Sequence, residues 1–284
     1  MIPVAFDYVR PSTVEDAVAA LAEAGDEAKV LAGGQSLIPV LRLRLAAPSL
    51  LVDLGGLAQL RGVRVDGDEL VIGAMTTHAE VAASPLVAEH APLVAQATAQ
   101  IGDRQVRHLG TLGGSLAHAD PAGDLPAVAA VLDARFVIAG ASGRRTVSAA
   151  DFAVDMFTTA IGADEVLVEV RFPTSAGWGT RYEKFHRVAQ AWAIVGVAAA
   201  VRRDNGSIAE ARIALTNMGP TAVRASAVEQ ALAGAPTSVD VIASAVRSAG
   251  DGTSPPDDLS GSADYRRHLA GVLTARAVTA AAGL

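Results

Sequence analysis

The chain has 284 residues, of which 51% are hydrophobic, enough to bury the cores of two domains or of one large mixed domain. Its 30 acidic and 23 basic side chains give a formal net charge of −7, which argues against nucleic acid as a partner. The sequence contains no cysteine, which excludes disulfides, thiolate metal sites, iron–sulfur ligation and a cysteine nucleophile. Any redox chemistry therefore depends on a bound cofactor.

The first hundred residues alternate helix and strand signals. Ser12-Thr13-Val14-Glu15 fits a capping box, and the apolar residues after it keep a helical spacing until Gly25. A strand at 28–32 then leads into a run of small residues, Ala32 to Ser36, called here the first glycine segment. Strands are also predicted at 49–53 and 69–74, a helix after the capping box Thr77–Glu80 that ends at Pro85, and a helix from Pro92 to Ile101.

A second glycine segment, Gly110 to Ser115, follows as a predicted turn, and a helix begins at Asp124 and runs through Ala134. Pro173 to Gly177 is the best candidate linker. Three strands followed by three helices after this linker predict an α+β layer rather than a wound parallel sheet. The remaining predictions are strands at 136–139, 166–172, 181–187, 192–202 and 209–217, helices at 225–233, 239–249 and 264–282, and a surface loop at 250–262.

The two glycine segments have the chemistry of a phosphate clamp. Glycine lets the backbone N–H groups approach a diphosphate closely, and Ser36, Thr111 and Ser115 add hydroxyl donors without adding charge. Two ordinary tight turns are the alternative for a chain with 27 glycines. Neither the dinucleotide motif G-x-G-x-x-G nor the P-loop motif occurs, so the clamp would belong to another class of nucleotide site.

Other catalytic signatures are missing from the sequence. No serine lies in a G-x-S-x-G elbow, so no catalytic nucleophile is predicted. The N-terminus has no basic stretch before an apolar core, and the longest apolar run is too short to span a bilayer, so we expect a cytoplasmic protein. No metal site is expected, because no H-E-x-x-H or close pair occurs among His78, His90, His108, His118, His186 and His268.

Several polar and aromatic residues outside the glycine segments are candidates for a binding site. His118, Asp120 and Asp124 follow the second glycine segment, where Asp124 fits either a helix cap or a contact with ribose or ribityl hydroxyls. Asp120, before Pro121, fits a turn. Trp192 between alanines fits either a contact with a planar ring or core packing, and Lys184 fits either a flavin contact or a surface lysine.

Three stretches in a fixed order resemble the FAD-binding medium subunits of the molybdenum hydroxylases, the family of carbon monoxide dehydrogenase and xanthine dehydrogenase. Val30 to Pro39, which contains the first glycine segment, is similar to the family's AGGxSL element. The second glycine segment and Asp120 to Pro126 are similar to its TIGGN and DLP elements. Gly261 to Ala270 is similar to the start of its last helix. The resemblance covers nearly the whole chain.

The resemblance implies an α+β fold: a PCMH-type FAD-binding domain at 1–175, made of α/β subdomains at about 1–55 and 56–175, and a smaller C-terminal α+β domain at 176–284. It also implies noncovalent FAD. The cofactor-binding residues that it implies, together with His118 and Trp192 from the preceding interpretation, are Ala32, Gly33, Gly34, Gln35, Ser36, Ile101, Gly102, Thr111, Gly114, Ser115, His118, Asp124, Leu167, Lys184 and Trp192.

One motif departs from the family. Many relatives carry K-x-x-R-[RK]-x-x-D-[WY]-A where this chain runs from Lys184 to Ala193. The lysine, the first arginine and the aromatic residue are present, but Val188 replaces the second basic residue and Ala191 replaces the acid. The resemblance implies charge pairing around the flavin edge, to which these two neutral residues contribute no charge, while the glycine segments are unchanged.

The resemblance implies an electron-transfer subunit of a molybdenum-dependent dehydrogenase. A molybdopterin-binding large subunit would oxidise the substrate, a [2Fe-2S] small subunit would relay electrons, and FAD here would pass them to an external acceptor. A dimer of such heterotrimers is expected, with membrane association only through the complex. Carbon monoxide, an aldehyde, a purine or another N-heterocycle stays open as substrate, as do quinone, NAD and oxygen as acceptor. The alternatives are a stand-alone PCMH-type flavoprotein oxidoreductase and a structural adaptor with a decayed nucleotide site.

Overall fold

The computed structural model describes residues 1–284, which form twelve α-helices and four β-sheets. The helices are Val14–Ala24 (α1), Leu37–Arg42 (α2), His78–Ala83 (α3), Pro85–His90 (α4), Pro92–Thr98 (α5), Arg104–Leu109 (α6), Leu112–His118 (α7), Asp124–Val131 (α8), Ala149–Phe152 (α9), Ser226–Leu232 (α10), Val239–Ala245 (α11) and Ala263–Ala281 (α12). The strands are Asp7–Val9 (β1), Ala28–Leu31 (β2), Leu50–Asp53 (β3), Val63–Asp66 (β4), Glu69–Gly73 (β5), Arg135–Gly140 (β6), Gly143–Ser148 (β7), Ala153–Asp155 (β8), Thr158–Thr159 (β9), Val166–Pro173 (β10), Trp178–Phe185 (β11), Val195–Asp204 (β12), Ser207–Thr216 (β13) and Val223–Arg224 (β14). The predicted α+β class is confirmed.

The N-terminal sheet is parallel, in the order β1-β3-β2, and α1 packs against it. Helix α1 buries Val14, Val18 and Leu21 on one face, as the helical spacing predicts. Its cap differs from the prediction, because Thr13 rather than Ser12 accepts the hydrogen bond from the Asp16 N–H, at 3.0 Å. The Ser12 hydroxyl donates instead to the Asp16 carboxylate, so the predicted capping box is wrong by one residue.

The middle sheet is antiparallel, in the order β4-β5-β10-β6-β7. All five residues of its strand β5 are buried. Buried Glu69 and Glu169 are neutralised by three arginines: Arg64 and Arg171 contact Glu169, and Arg135 and Arg171 contact Glu69. One face of this sheet shares a core cluster with helices α5 and α8, whereas Ala139, Val166 and Val168 belong to the cluster of α1.

The C-terminal sheet, in the order β11-β12-β13-β14, lies between two sets of helices. Ala198 and Ala200 of β12 belong to the core cluster of α5 and α8, whereas Val197, Ala199 and Val201 belong to the cluster of α12. This division follows from the two-residue period of a strand, which turns alternate side chains to opposite faces. Both faces of the sheet are therefore covered by helices along the buried part of β12, and neither is exposed to solvent there.

Some predicted elements differ from the structure where side-chain patterns were ambiguous. Residues 112–115 are the first residues of α7, so the prediction of a turn over the whole second glycine segment is wrong. The strand predicted from Trp192 begins only at Val195. Strands β1, β4 and β7 and the helix α6 were missed because they are short or largely exposed and lack a clear apolar period.

The three larger sheets occupy residues 7–53, 63–173 and 178–224. We keep the division into domains at 1–175 and 176–284, with subdomains at about 1–55 and 56–175, as a proposal.

Gly179 provides a test of the packing between the C-terminal sheet and α12. A Cβ atom at Gly179 would lie 1.9 Å from the carbonyl oxygen of Ala281, so Gly179→Ala should lower the free energy of unfolding by about 1–3 kcal/mol. Gly271→Ala is the control, because its new methyl group would meet only the Val246 oxygen at 3.7 Å, and alanine favours a helix by about 1 kcal/mol. Denaturant unfolding measures both. Equal stability of the two variants would contradict the packing described here.

Candidate functional site

One cavity of about 680 Å³ lies where the glycine segments, β10 and the connection between β11 and β12 converge. Its volume is in the range of cofactor and ligand pockets. All the residues predicted from the sequence as cofactor-binding line it: Ala32, Gly33, Gly34, Gln35, Ser36, Ile101, Gly102, Thr111, Gly114, Ser115, His118, Asp124, Leu167, Lys184 and Trp192. Residues separated by up to 160 positions in the sequence thus line the same cavity.

The first glycine segment presents unused hydrogen-bond donors to this cavity. It connects β2 to α2, and Gly34 adopts the left-handed φ of +73° that favours glycine. The backbone N–H groups from Gly33 to Leu37 donate no hydrogen bond within the chain, and neither does the Ser36 hydroxyl. Five successive free N–H groups form a concave donor set suited to an anion.

The second glycine segment has a different role, because five of its six backbone N–H groups are already used. The N–H groups of Leu112 and Gly113 donate to the carbonyls of Thr76 and Ala74, and those of Gly114 and Ser115 donate to Thr111. The Ser115 hydroxyl has no partner in the chain and faces the cavity. This segment therefore contributes close packing, the Ser115 hydroxyl and the single free N–H group of Thr111, whereas the first segment supplies a run of free N–H groups.

Glycine is required where the two segments touch. A Cβ atom at Gly33 would lie 2.2 Å from the Leu109 carbonyl oxygen and 2.7 Å from the Gly110 Cα. A Cβ atom at Gly114 would lie 3.2 Å from the Ala32 Cβ. Any larger residue at Gly33 would separate the two walls of the cavity.

The backbone carbonyls of Ile101 and Gly102 are held by hydrogen bonds from an arginine. The Arg107 guanidinium donates to the Ile101 carbonyl at 2.9 Å and to the Gly102 carbonyl at 3.2 Å. Gly102 has a φ of +50°, and a Cβ atom there would lie 2.7 Å from a methyl group of Val106. The backbone at this part of the wall is therefore rigidly placed by contacts within the helix α6 region.

Asp124 forms a buried group with Lys184 and Tyr182. The Lys184 ammonium donates to Asp124 Oδ2 at 2.8 Å, and the Tyr182 hydroxyl donates to Oδ1 at 2.6 Å. The Asp124 and Lys184 side chains are 3% and 2% exposed. Tyr182 and Lys184 reach Asp124 because alternate residues of β11 face the helix α8. We call these three residues the buried triad.

The electrostatics of the buried triad depend on its burial. Burial raises the pKa of Asp124, and the contacts with Lys184 and Tyr182 oppose this shift because they favour the carboxylate. Burial and the neighbouring Asp124 raise the pKa of Tyr182 well above its usual value, so the hydroxyl stays protonated as a donor. Asp124 makes no cap hydrogen bond to α8. Of the two roles expected for it, helix capping is wrong.

His78 is a cavity residue that the sequence did not identify. Its side chain is buried against Gly110, and its Nδ1 atom has no hydrogen-bond partner. Burial, with a smaller effect from the Arg107 charge, lowers the pKa of His78 to about 4. The residue occupies the first position of α3, next to the capping residue Thr77, and the capping pattern gave no sign of a binding role.

The residues around the cavity mouth are less buried. Trp192 lines the cavity and is 52% exposed, and Val188 is exposed beside it. The His118 ring packs against Phe157 at 5.1 Å. Asp120 accepts a hydrogen bond from the Ala122 N–H at 2.8 Å, so the interpretation of Asp120 as a turn residue is confirmed.

The chain that carries this cavity is similar to known proteins over nearly its whole length. Residues 4–175 match the family described as FAD binding domain in molybdopterin dehydrogenase, and residues 180–281 match the CO dehydrogenase flavoprotein C-terminal domain. The carbon monoxide dehydrogenase medium chain of Hydrogenophaga pseudoflava is 42% identical over 282 residues, which are 99% of this chain and 98% of the relative.

Two further matches extend this comparison. The 6-hydroxypseudooxynicotine dehydrogenase complex subunit alpha of Paenarthrobacter nicotinovorans is 38% identical, over 99% of this chain and 96% of the relative. The solved structure of the Hydrogenophaga pseudoflava carbon monoxide dehydrogenase that lacks the Mo-pyranopterin moiety superimposes with a TM-score of 0.96 at 44% identity. It covers 99% of this chain and 98% of the matched chain.

The buried His78 should make the protein acid-sensitive. Its pKa is about 4 in the folded chain against 6.5 for an ordinary histidine, so between these pH values the unfolded chain binds a proton that the folded chain does not. The free energy of unfolding should therefore fall by up to about 3 kcal/mol as the pH drops from 6.5 to 4. His78→Gln should lose this contribution, and the exposed His268→Gln should keep it. Identical pH profiles for His78→Gln and the unmodified chain would contradict the assignment.

Removing the cation of the buried triad should destabilise the chain. Lys184→Met leaves the Asp124 carboxylate buried without its charge partner, so the free energy of unfolding should fall by about 3–5 kcal/mol. The double variant Asp124→Asn with Lys184→Met should recover much of that loss, because no unpaired charge remains. Lys29→Met is the matched control, since Lys29 is exposed and is the only other lysine. Denaturant unfolding that shows equal losses for Lys29→Met and Lys184→Met would contradict the role of the triad.

Proposed function

Because the chain belongs to the family of FAD-binding domains of molybdopterin dehydrogenases, with a CO dehydrogenase flavoprotein C-terminal domain, we propose that this cavity binds FAD for electron transfer within a multi-subunit molybdenum hydroxylase. The observation that carries the proposal is the set of unused backbone N–H groups at Gly33 to Leu37 in a cavity of about 680 Å³. FAD, when bound, supplies a flavin that accepts and releases electrons.

The cavity residues fit the parts of FAD by their chemistry. A diphosphate needs several converging donors, which the first glycine segment supplies, and the hydroxyls of Ser36 and Ser115 can add to them. The donors of the first glycine segment are backbone dipoles and a hydroxyl, and Lys29 of β2 also lines the cavity. We propose that the two glycine segments hold the diphosphate between them.

The buried triad is proposed to border the flavin and the ribityl chain. Each Asp124 oxygen already accepts one hydrogen bond and retains a lone pair for a cofactor hydroxyl. Lys184 lines the cavity, but its charge is balanced by Asp124, so it offers a donor and a local dipole rather than a free positive charge. Leu167, Ile101 and Trp192 supply the apolar surface that a planar ring requires.

The departure from the family motif lies at the cavity mouth. Ala191 lines the cavity and Val188 is exposed, and neither carries the charged side chain that the family motif has at its position. Gln190 instead donates to the Asp103 carboxylate across the mouth. We propose that this neutral edge tunes the flavin and its choice of acceptor differently from the charged edge of the relatives.

The remaining redox centres are proposed to lie on partner subunits. The chain has no cysteine, so iron–sulfur clusters require another polypeptide, here a [2Fe-2S] small subunit beside a molybdopterin-binding large subunit. A dimer of these heterotrimers is the proposed assembly. No helix of the chain is both long and apolar enough to cross a membrane. The relatives named above carry names that refer to different compounds, carbon monoxide and 6-hydroxypseudooxynicotine, which supports our proposal that the substrate is determined on the large subunit.

The FAD proposal predicts a specific loss of flavin in Gly33→Ala. The methyl group would push Leu109 and Gly110 away and break the donor set, and losing one charge-assisted hydrogen bond costs about 1.5–3 kcal/mol, or about tenfold or more in Kd. The measurement is the visible flavin absorbance of the purified chain, with any subunits that co-purify, before and after incubation with FAD. Gly271→Ala should bind FAD like the unmodified chain.

A chain that carries no flavin and gains none from FAD would contradict the proposal. Partner dependence separates it from a stand-alone flavoprotein oxidoreductase. Electron transfer from partner subunits and their substrate should bleach the flavin band, whereas small organic donors added to the chain alone should not.

A further inference from the structure

Helix α12 begins with a buried arginine that the proposed FAD contacts do not explain. Arg266 is 1% exposed, whereas Arg267 lies at the surface and pairs with Asp264 at 2.9 Å. A buried guanidinium is stable only when its donors are all used, so its partners show what it is built to hold.

The partners of Arg266 are mostly backbone carbonyls. One terminal nitrogen donates to the Ile194 carbonyl at 2.6 Å, and the other donates to the Asp258 carboxylate at 2.7 Å. The Nε atom donates to the Gly261 carbonyl at 3.4 Å. Arg266 therefore ties α12 and the loop before it to residue 194, two positions after Trp192.

Asn217 holds the same backbone from another direction. It lies after β13 with a φ of +63°, and its side-chain amide donates to the Ala193 carbonyl at 2.8 Å and to the Ile194 carbonyl at 3.3 Å. Its backbone N–H donates to the Pro121 carbonyl at 2.8 Å, in the turn that follows the second glycine segment. Asn217 thus connects the backbone next to Trp192 with the glycine side of the cavity.

Trp192 lies outside the strand ladder of the C-terminal sheet. The ladder between β11 and β12 begins at Val195, and the Ile194 N–H donates to Phe185 at 2.8 Å, so the backbone hydrogen bonding of the strand stops short of Trp192. The indole is 52% exposed and lines the cavity. The two backbone carbonyls that follow Trp192 are held by the hydrogen bonds from Arg266 and Asn217.

We propose that Arg266 and Asn217 are positioning residues that clamp the Ala193–Ile194 backbone and thereby hold the Trp192 indole against the FAD cavity. Neither residue lines the cavity, so both act through Trp192. The planar fork of arginine reaches the Ile194 and Asp258 acceptors at once, which a lysine ammonium on the same stem reproduces only in part. The flavin part of this inference rests on the proposed function, whereas the placement of Trp192 does not.

The first test reports on Trp192 without FAD. In a Trp178→Phe background, Trp192 is the only tryptophan of the full chain, and its quenching by acrylamide measures its accessibility. Arg266→Met and Asn217→Gly should each raise the quenching constant, by up to about twofold because the indole is already 52% exposed. Glycine at 217 keeps the left-handed backbone and deletes only the amide. Arg267→Met is the control and should leave the quenching unchanged, and Arg266→Lys should fall between.

The second test asks whether Arg266 acts through Trp192 on bound FAD. Arg266→Met and Asn217→Gly should each raise the Kd for FAD by about tenfold, which corresponds to the loss of one aromatic contact. Both should also raise the fluorescence emission of the bound flavin. Trp192→Ala should do the same, and adding Arg266→Met to Trp192→Ala should change neither quantity further, because the effects of coupled residues are not additive.

Unchanged Trp192 quenching in both Arg266→Met and Asn217→Gly would overturn the proposal, and so would additive effects on FAD. If Arg266→Met does not fold, the quenching and FAD measurements on Asn217→Gly alone test the proposal. Absence of FAD from the unmodified chain would overturn the proposed function but leave the quenching test in force.

Discussion

The buried contact between Asp124 and Lys184 is the interaction on which the arrangement of the site depends. It joins the first turn of α8 to β11, and so fixes the C-terminal sheet against the helices of the middle sheet. The pair is stabilised inside the protein by two further hydrogen bonds, from the Tyr182 hydroxyl to Asp124 at 2.6 Å and from Lys184 to the Gln100 carbonyl at 3.2 Å. This contact places Lys184 in the cavity wall.

The opposite wall depends on the absence of side chains. Gly33 lets the first glycine segment lie against Leu109 and Gly110, and Gly113 lets α7 approach Ala74, to whose Cβ atom a Cβ at Gly113 would come within 2.5 Å. The chain thus places charged and aromatic groups on the C-terminal side and backbone donors on the N-terminal side. A cofactor with an anionic diphosphate and a planar ring matches this division.

Strongly patterned parts of the fold could be predicted from the sequence. The helix after Thr13, the buried strands and α12 follow from apolar spacing and from capping residues, and all the predicted site residues line one cavity. The resemblance to a known family supplied most of those site residues, because spacing alone cannot bring Gly33 and Lys184 together. The buried partners of Asp124 and the cavity role of His78 were not predictable, since each depends on which face of a neighbouring element packs against it.

A structure of the chain with FAD, determined by crystallography or electron microscopy, would show whether the cofactor occupies this cavity. We expect the diphosphate between the N–H groups of 33–37 and Ser115, the flavin ring beside Trp192 and Lys184, and an intact contact between Lys184 and Asp124. A diphosphate bound away from the two glycine segments would contradict this expectation, and so would a Lys184 that leaves Asp124 when FAD binds.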